Sequence, residues 1–201
     1  MKHLHSKELL SRMTLFSVEQ ILTVSGSIFL PVRLKDLNVT IVAGGGGSGW
    51  GYWYHGNAFF GGGGGGGGRV DKSFSQAEIN TLKGTSQQYV IGAAGAVGAS
   101  GATAPSGGNT SFLGMTAYGG GGGGSGIGPG GGIGGGGSGG TVTNGGNGGA
   151  GSVWGGGTPG TGHIINGLEY GKGGVGIYEN VGDAGGTSGM LWIRYTYYDF
   201  K

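Results

Sequence analysis

Apolar and polar positions along the chain fall into a few short patterned blocks separated by long unpatterned ones. From Gln20 to Ala43 the text is strand-like, ending in the β-branched run Asn38–Ala43, "NVTIVA", which leads directly into Gly44. Pro31 and the Asp36–Asn38 region mark turns within it. At the other end, "MLWIRYTYYDF", Met190–Phe200, alternates with a period of two. Leu191, Ile193, Tyr195 and Tyr197 fall on one face and Trp192, Arg194 and Thr196 on the other. "QQYVIGAAG" and "NTSFLGMTAYGG" predict two shorter strands. Near the start, Leu9, Met13 and Phe16 recur at i, i+4 and i+7 among Lys7, Ser11 and Arg12, which predicts a short amphipathic helix. The two chain ends thus frame a central region and are expected to pair in one small sheet.

The central region is dominated by glycine, 60 of 201 residues, including the uninterrupted octaglycine Gly61–Gly68. Collagen needs glycine at every third position with abundant proline. Only 4 prolines are present, and runs such as Gly119–Gly124 break that register. A flexible linker is poor in aromatic and β-branched residues, whereas this chain carries 7 Phe, 9 Tyr and 4 Trp. Ordered glycine loses about 1–2 kcal/mol of backbone entropy per residue and has no side chain to bury, so backbone hydrogen bonds must supply the compensation. An extended helix of three residues per turn has no internal hydrogen bonds. Its N–H and C=O groups all point outward to neighbouring helices, and any interior Cβ holds those neighbours apart. Gly61–Gly68 is therefore expected at the centre of a bundle. The stretch "GGGIGGGGSGGTVTNGGNGGAG" is expected at its periphery, with Ile133, Ser138, Asn144 and Asn147 facing out.

Glycine runs alternating with strand cassettes, "VTIVAGGGGSG" at Val39–Gly49, "YVIGAAG" at Tyr89–Gly95, "GGNTSFLGMTAYGGGGGG" at Gly107–Gly124 and "GGTSGMLWIRYTY" at Gly185–Tyr197, resemble a known family. It comprises the glycine-rich receptor-binding tips, or adhesins, of tailed-bacteriophage tail fibres, built around a polyglycine II sandwich. The resemblance runs from about Ile21 to Tyr198, in order, and leaves out residues 1–20. It implies a virion protein at the fibre tip, extracellular when active and made in the host cytoplasm without a signal peptide. Its partners would be a bacterial surface receptor, either polysaccharide or outer-membrane protein, and other tail-fibre or baseplate proteins. A homotrimer is expected because tail fibres are commonly threefold.

In that family receptors are met by loops joining the glycine helices, and this chain has a conspicuous one. "GWGYWYHGNAFF" places Trp50, Tyr52, Trp53, Tyr54, His55, Phe59 and Phe60 between two glycine runs, away from any predicted strand that would bury them. Rings with polar handles provide large contact area at low entropic cost. "VWGGGTPGTGHIINGLEYGKGG" adds Trp154, His163, Asn166, Glu169 and Tyr170, and "GIYENVG" adds Tyr178, Glu179 and Asn180. The competing reading is that these rings cover the flat faces of the glycine lattice or fill a subunit interface.

Charge and motifs narrow the function further. A net charge of +2 from 11 basic and 9 acidic residues leaves no basic stripe for nucleic acid. Without cysteine there is neither a disulfide framework nor a thiolate metal site. No apolar run is long enough to span a membrane, and the stretch before Gln20 lacks the features of a secretory signal. The octaglycine matches G-x-G-x-x-G trivially, with no helix behind it to present N–H groups to a phosphate. "EYGKGG" lacks the spacing and the Ser or Thr of a P-loop. Of the four histidines, at 3, 5, 55 and 163, His3 and His5 could together bind a metal only weakly, and a mobile N-terminus is the expectation there. Neither a carboxylate pair for glycoside hydrolysis, nor a calcium-binding nonapeptide repeat, nor a nucleophile elbow is visible, so no enzyme, metal or cofactor is expected. Ice binding would need a periodic threonine row, which is absent.

The expected fold is mainly β and irregular. It combines a small sheet from the two chain ends, a bundle of packed polyglycine II helices and a short N-terminal helix. Residues 1–20 are expected to form an attachment or oligomerisation segment, and residues 21–201 the glycine-rich domain with its receptor-binding loops. The alternative function is a structural or assembly module of the fibre, without direct receptor binding.

Overall fold

The computed structural model of the chain describes residues 13–125, 134–152, 155–177 and 185–200. These form a mostly β protein in which strand cassettes gather at one pole and glycine runs extend to the other.

Two five-stranded sheets make up the strand pole. The first is ordered β1(Met13–Leu22), β14(Met190–Phe200), β3(Leu34–Val42), β6(Arg69–Ser73), β11(Thr141–Thr143). The second runs β10(Gly137–Ser138), β9(Met115–Ala117), β8(Thr110–Phe112), β7(Ser86–Val90), β2(Gly26–Phe29). The expected pairing of the chain ends is present: β14 lies antiparallel between β1 and β3, with Leu22 opposite Leu191 and Leu191 opposite Ile41. The faces read from the sequence hold as well. Leu191 and Ile193 enter the core with Leu37, Val39, Ile41, Val70, Phe112 and Met115 between the two sheets, and Tyr195 packs at its margin. Trp192 lies on the other face, packed with Ile21 and Tyr170 against Val42, Ile165 and Met190. That second cluster is covered by the hairpin β12(His163–Ile165)–β13(Leu168–Tyr170).

Two local expectations are corrected. Met13 and Phe16, predicted in an amphipathic helix, stand in the ten-residue strand β1; Leu9 lies outside the described residues. The ladder to β14, whose partners lie 169 to 187 positions away, outweighs the weak helical spacing, and Phe16 stacks on Tyr197 across it with ring centroids 5.5 Å apart. Asp36–Asn38, predicted as a turn, continues β3. The polar residues are absorbed by a register shift opposite Thr196 and Tyr197 and by a 2.7 Å hydrogen bond from the Thr196 hydroxyl to Asp36.

One helix, α1(Gln76–Leu82), is described. Ser75 caps it and Glu78 reaches back to the Ser75 N–H, a reciprocal arrangement that satisfies two otherwise unpaired donors. Lys72, 2.7 Å from Glu78, together with the bonds from Ser75, holds that carboxyl down to about 2. The helix buries Ile79 in the core.

The glycine runs have no regular helix or ladder, yet they are hydrogen-bonded with a period of three. Gly62, Gly65 and Gly68 donate to Gly124, Gly121 and Tyr118; Gly61, Gly64 and Gly67 donate to Ile177, Gly174 and Gly171; Gly63 and Gly66 donate to Gly149 and Gly146. Successive N–H groups thus address three different neighbours in rotation. Carbonyls of the same run accept from further segments: Gly49, Gly46 and Ala43 bond to Gly62, Gly65 and Gly68, and Gly157 and Gly160 to Gly61 and Gly64. Every residue of Gly61–Gly68 is buried, as a fully surrounded run requires. The outer run shows the complementary pattern, with Asn144, Asn147 and Ala150 exposed at every third position. Ser138 is also exposed, though in strand β10; Ile133 lies outside the described residues.

Candidate functional site

These bonds define which residues share a pole. Ala43 with Gly68, Gly44 with Gly108, and Gly189 with Gly92 mark the strand pole. Gly49 with Gly62, Gly98 with Ser48, and Phe60 with Ser152 mark the far pole. The chain leaves the strand pole along 44–49, turns at the far pole through residues 50–60, and returns along 61–68.

That turn is a hairpin, β4(Tyr52–Tyr54)–β5(Asn57–Phe59). His55 at φ 46° and Gly56 at φ 82° make its two-residue loop, the backbone twist that matches paired strands. The same device recurs at Leu113–Gly114 between β8 and β9 and at Asn166–Gly167 between β12 and β13. In the first hairpin the cross-strand partners Tyr52 and Phe59 stack with centroids 5.4 Å apart and planes at 25°. Trp53 stands opposite Ala58; the alanine is buried and the tryptophan is 52% exposed. Trp50, Tyr52, Phe59 and Phe60 are half-buried, so the aromatics form their own small fold, contrary to the expectation of rings far from any strand. His55 is exposed at the tip, and its carbonyl accepts a 3.4 Å bond from the Asn57 amide.

The hairpin is clamped at its root. Gly51 and Gly61 both donate to the carbonyl of Ile177, at 2.9 and 3.1 Å, Phe60 donates to Ser152 at 3.0 Å, and Trp50 bridges to Ile177 in parallel. A side chain on Gly51 would collide with the carbonyls of Phe59 and Ile177, so glycine is required where the hairpin meets the lattice. Residues 50–60 contain no Lys, Arg, Asp or Glu. The arrangement offers an uncharged aromatic surface with an imidazole and an amide at its rim, suited to stacking and hydrogen bonding.

Other predicted residues are divided between the poles. Trp154 and Tyr178, with Glu179 and Asn180, lie outside the described residues; their neighbours Ser152, Gly155 and Ile177 belong to the far pole. Backbone placement puts Tyr54 in β4 beside Trp53. His163 and Tyr170 are cross-strand partners at the opposite pole, so the structure does not bring them to the aromatic hairpin. Asn166 is in the loop of that second hairpin, and Glu169 is paired with Lys172 at 3.2 Å.

His163 has an architectural position that sequence reasoning missed. Gly157 and Gly160 donate backbone N–H groups to Gly61 and Gly64, and His163, the next in that period, approaches Gly67 O with Nε2 at 3.1 Å. With its proton on Nε2, the imidazole continues the lattice ladder where the backbone turns into β12. Burial lowers its pKa from the ordinary 6.5; the bond to Gly67 opposes that shift, and Arg69 adds to it. Close by, Asp71 accepts two hydrogen bonds from Arg69, at 2.7 and 2.8 Å, and one from Thr40 at 2.5 Å. Burial by itself raises the Asp71 carboxyl, but these bonds and the Arg69 charge outweigh it and leave it below its usual range.

Among the described residues no three His, Cys, Asp or Glu side chains gather where a metal could sit, and no helix is long and apolar enough to cross a membrane. A family model described as a glycine-rich domain matches residues 23–196. No curated protein matches the chain.

Proposed function

The chain belongs to the glycine-rich domain family, and from that premise we propose that it is the receptor-binding tip of a bacteriophage tail fibre, its glycine runs being polyglycine II helices. The three-residue rotation of hydrogen-bond partners around Gly61–Gly68 supports the second part, because it is the pattern of an extended threefold helix among neighbours. The observation that carries the first part is the clamped hairpin at the far pole, which holds Trp53 half-exposed beside the stacked Tyr52 and Phe59. Rigid aromatic anchors lose little entropy on contact and dominate binding energy at interfaces. The lattice acts as a stiff stalk, and the ligand is a polysaccharide or outer-membrane protein of the bacterial surface.

The test is binding of the fluorescently labelled full chain to a panel of bacterial strains, comparing wild type with Trp53→Ala and Tyr52→Ala. Strain-specific binding that falls by about tenfold or more in Trp53→Ala, with circular dichroism unchanged, is the expected result. A folded chain that binds no strain moves the function to fibre assembly.

A further inference from the structure

The two large sheets have four edges, and three are short. β11 spans 3 residues, β10 spans 2 and β2 spans 4. The fourth, β1, spans 10 residues, Met13–Leu22, with no proline, lysine or arginine among them. Short edges, edge charges and proline are the usual devices by which sheets avoid pairing with another chain. β1 is long and has no proline, and its one charge is Glu19.

In an antiparallel pair every second residue turns its N–H and C=O away from its partner. On β1 those groups face away from β14, and no backbone hydrogen bond outside the ladder reaches Met13–Leu22 among the described residues. The strand is also uncovered at its centre, where Leu15 is 46% and Phe16 39% exposed and Ser17 is exposed as well.

The chemistry of β1 selects its occupant. Its single charge, Glu19, is already engaged by the Trp192 indole N–H at 2.9 Å and the Asn166 amide at 3.4 Å. Those donors are neutral and the carboxylate keeps its charge, but one charge held on the face of the sheet that carries Trp192 is no row of charges that would select an oppositely charged strand. A second, antiparallel β1 about a twofold axis at Ser17 fits residue by residue. Phe16 meets Val18, Met13 meets Ile21, Thr14 meets Gln20, and each Glu19 meets Leu15, so the two carboxylates are not directly opposed. The Phe16–Tyr197 stacks of the two copies become neighbours on one face of a continuous ten-stranded sheet.

We infer that this chain dimerises through β1, edge to edge, with a second copy of itself. The interface lies at the strand pole and leaves both aromatic hairpins free, so it is independent of what they bind. In place of the threefold assembly expected from fibre proteins, it is twofold and isologous.

The experiment is light scattering coupled to size exclusion on the full chain, as wild type, as Ser17→Lys, as Ser17→Glu, and as an equimolar mixture of the two variants. Ser17 is exposed, so either variant should keep the fold, which circular dichroism checks. Wild type is expected at twice the 19.7 kDa chain mass. Each variant alone, with like charges opposed at the axis, is expected to dissociate about tenfold more readily, and the mixture to regain the dimer. A wild type that stays monomeric at every concentration, or an oligomer of any order that Ser17→Lys leaves unchanged, overturns the inference.

Discussion

A Cβ on Gly64 would run into the carbonyl oxygen of Gly46, which lies in one of the segments that surround the octaglycine. The backbone on each side is held by hydrogen bonds, Gly46 donating to Gly65 and Gly64 to Gly174, so neither side can yield without breaking the lattice. Gly64→Ala is therefore expected to cost at least about 3 kcal/mol. Gly56→Ala, at a position with φ 82° and nothing within 4 Å, strains only its own turn and should cost about 1–2 kcal/mol. Thermal or denaturant unfolding of the pair distinguishes the two, and equal effects would contradict close packing of the run.

Thr110 is fully buried, its hydroxyl accepting from Gly92 N–H at 2.9 Å and donating to the Val42 carbonyl at 2.7 Å. It links the end of β3 to the start of the run after β7. Thr110→Val keeps the shape but strands a buried donor, and is expected to lose about 2–3 kcal/mol. Thr110→Ser keeps both bonds and should lose about 1 kcal/mol from the missing methyl. Urea unfolding of the two variants gives the comparison.

Ser48 stands inside a glycine run, fully buried, with no hydrogen-bond partner for its hydroxyl among the described residues. Replacing it by alanine removes a buried polar group and leaves a gap of only one oxygen atom. Ser48→Ala is expected to raise stability by about 1 kcal/mol, read as an increase in the midpoint of thermal unfolding. A loss of that size would mean the hydroxyl is satisfied in solution, for example by water.

The depressed pKa of His163 makes folding sensitive to mild acid. In the unfolded chain the imidazole binds its proton more readily than in the folded one, so the stabilisation is complete above the ordinary value of 6.5 and is lost as pH falls below it. Asp71, whose carboxyl is also held below its usual value, contributes stability above 3.8 and loses it only at lower pH. Unfolding measured between about pH 7 and 5 should therefore show a decline that His163→Gln, which keeps a donor toward Gly67, flattens. An unchanged slope in the variant would assign the decline to other groups.

How much of this was legible beforehand depends on whether the cause is local. Met190–Phe200 announced its strand and both of its faces through period-two alternation, and the octaglycine announced its burial because a run without Cβ atoms suits a site enclosed on all sides. The box Ser75-x-x-Glu78 and the dipeptides His55–Gly56 and Asn166–Gly167 carried readable signals for α1 and two hairpin turns that the pattern of apolar residues alone passed over. The helical reading of Met13 and Phe16 failed because a spacing of four and three suits a helix only while no partner strand is in view, and that partner begins at Met190.

What the sequence by itself determined was the inventory: which blocks can be strands, which runs must be packed by backbone alone, and that seven candidate residues crowd into eleven positions between two of those runs. Only the tertiary structure decided the distribution of these parts. It placed the Trp50–Phe60 hairpin at one pole and His163 with Tyr170 at the other, turned His163 into a rung of the lattice, and left β1 as the one long open edge among the described strands. Each of those outcomes depends on which distant segment supplies a carbonyl or an N–H. Glycine, having no side chain, carries no mark along the chain of the partner it will meet.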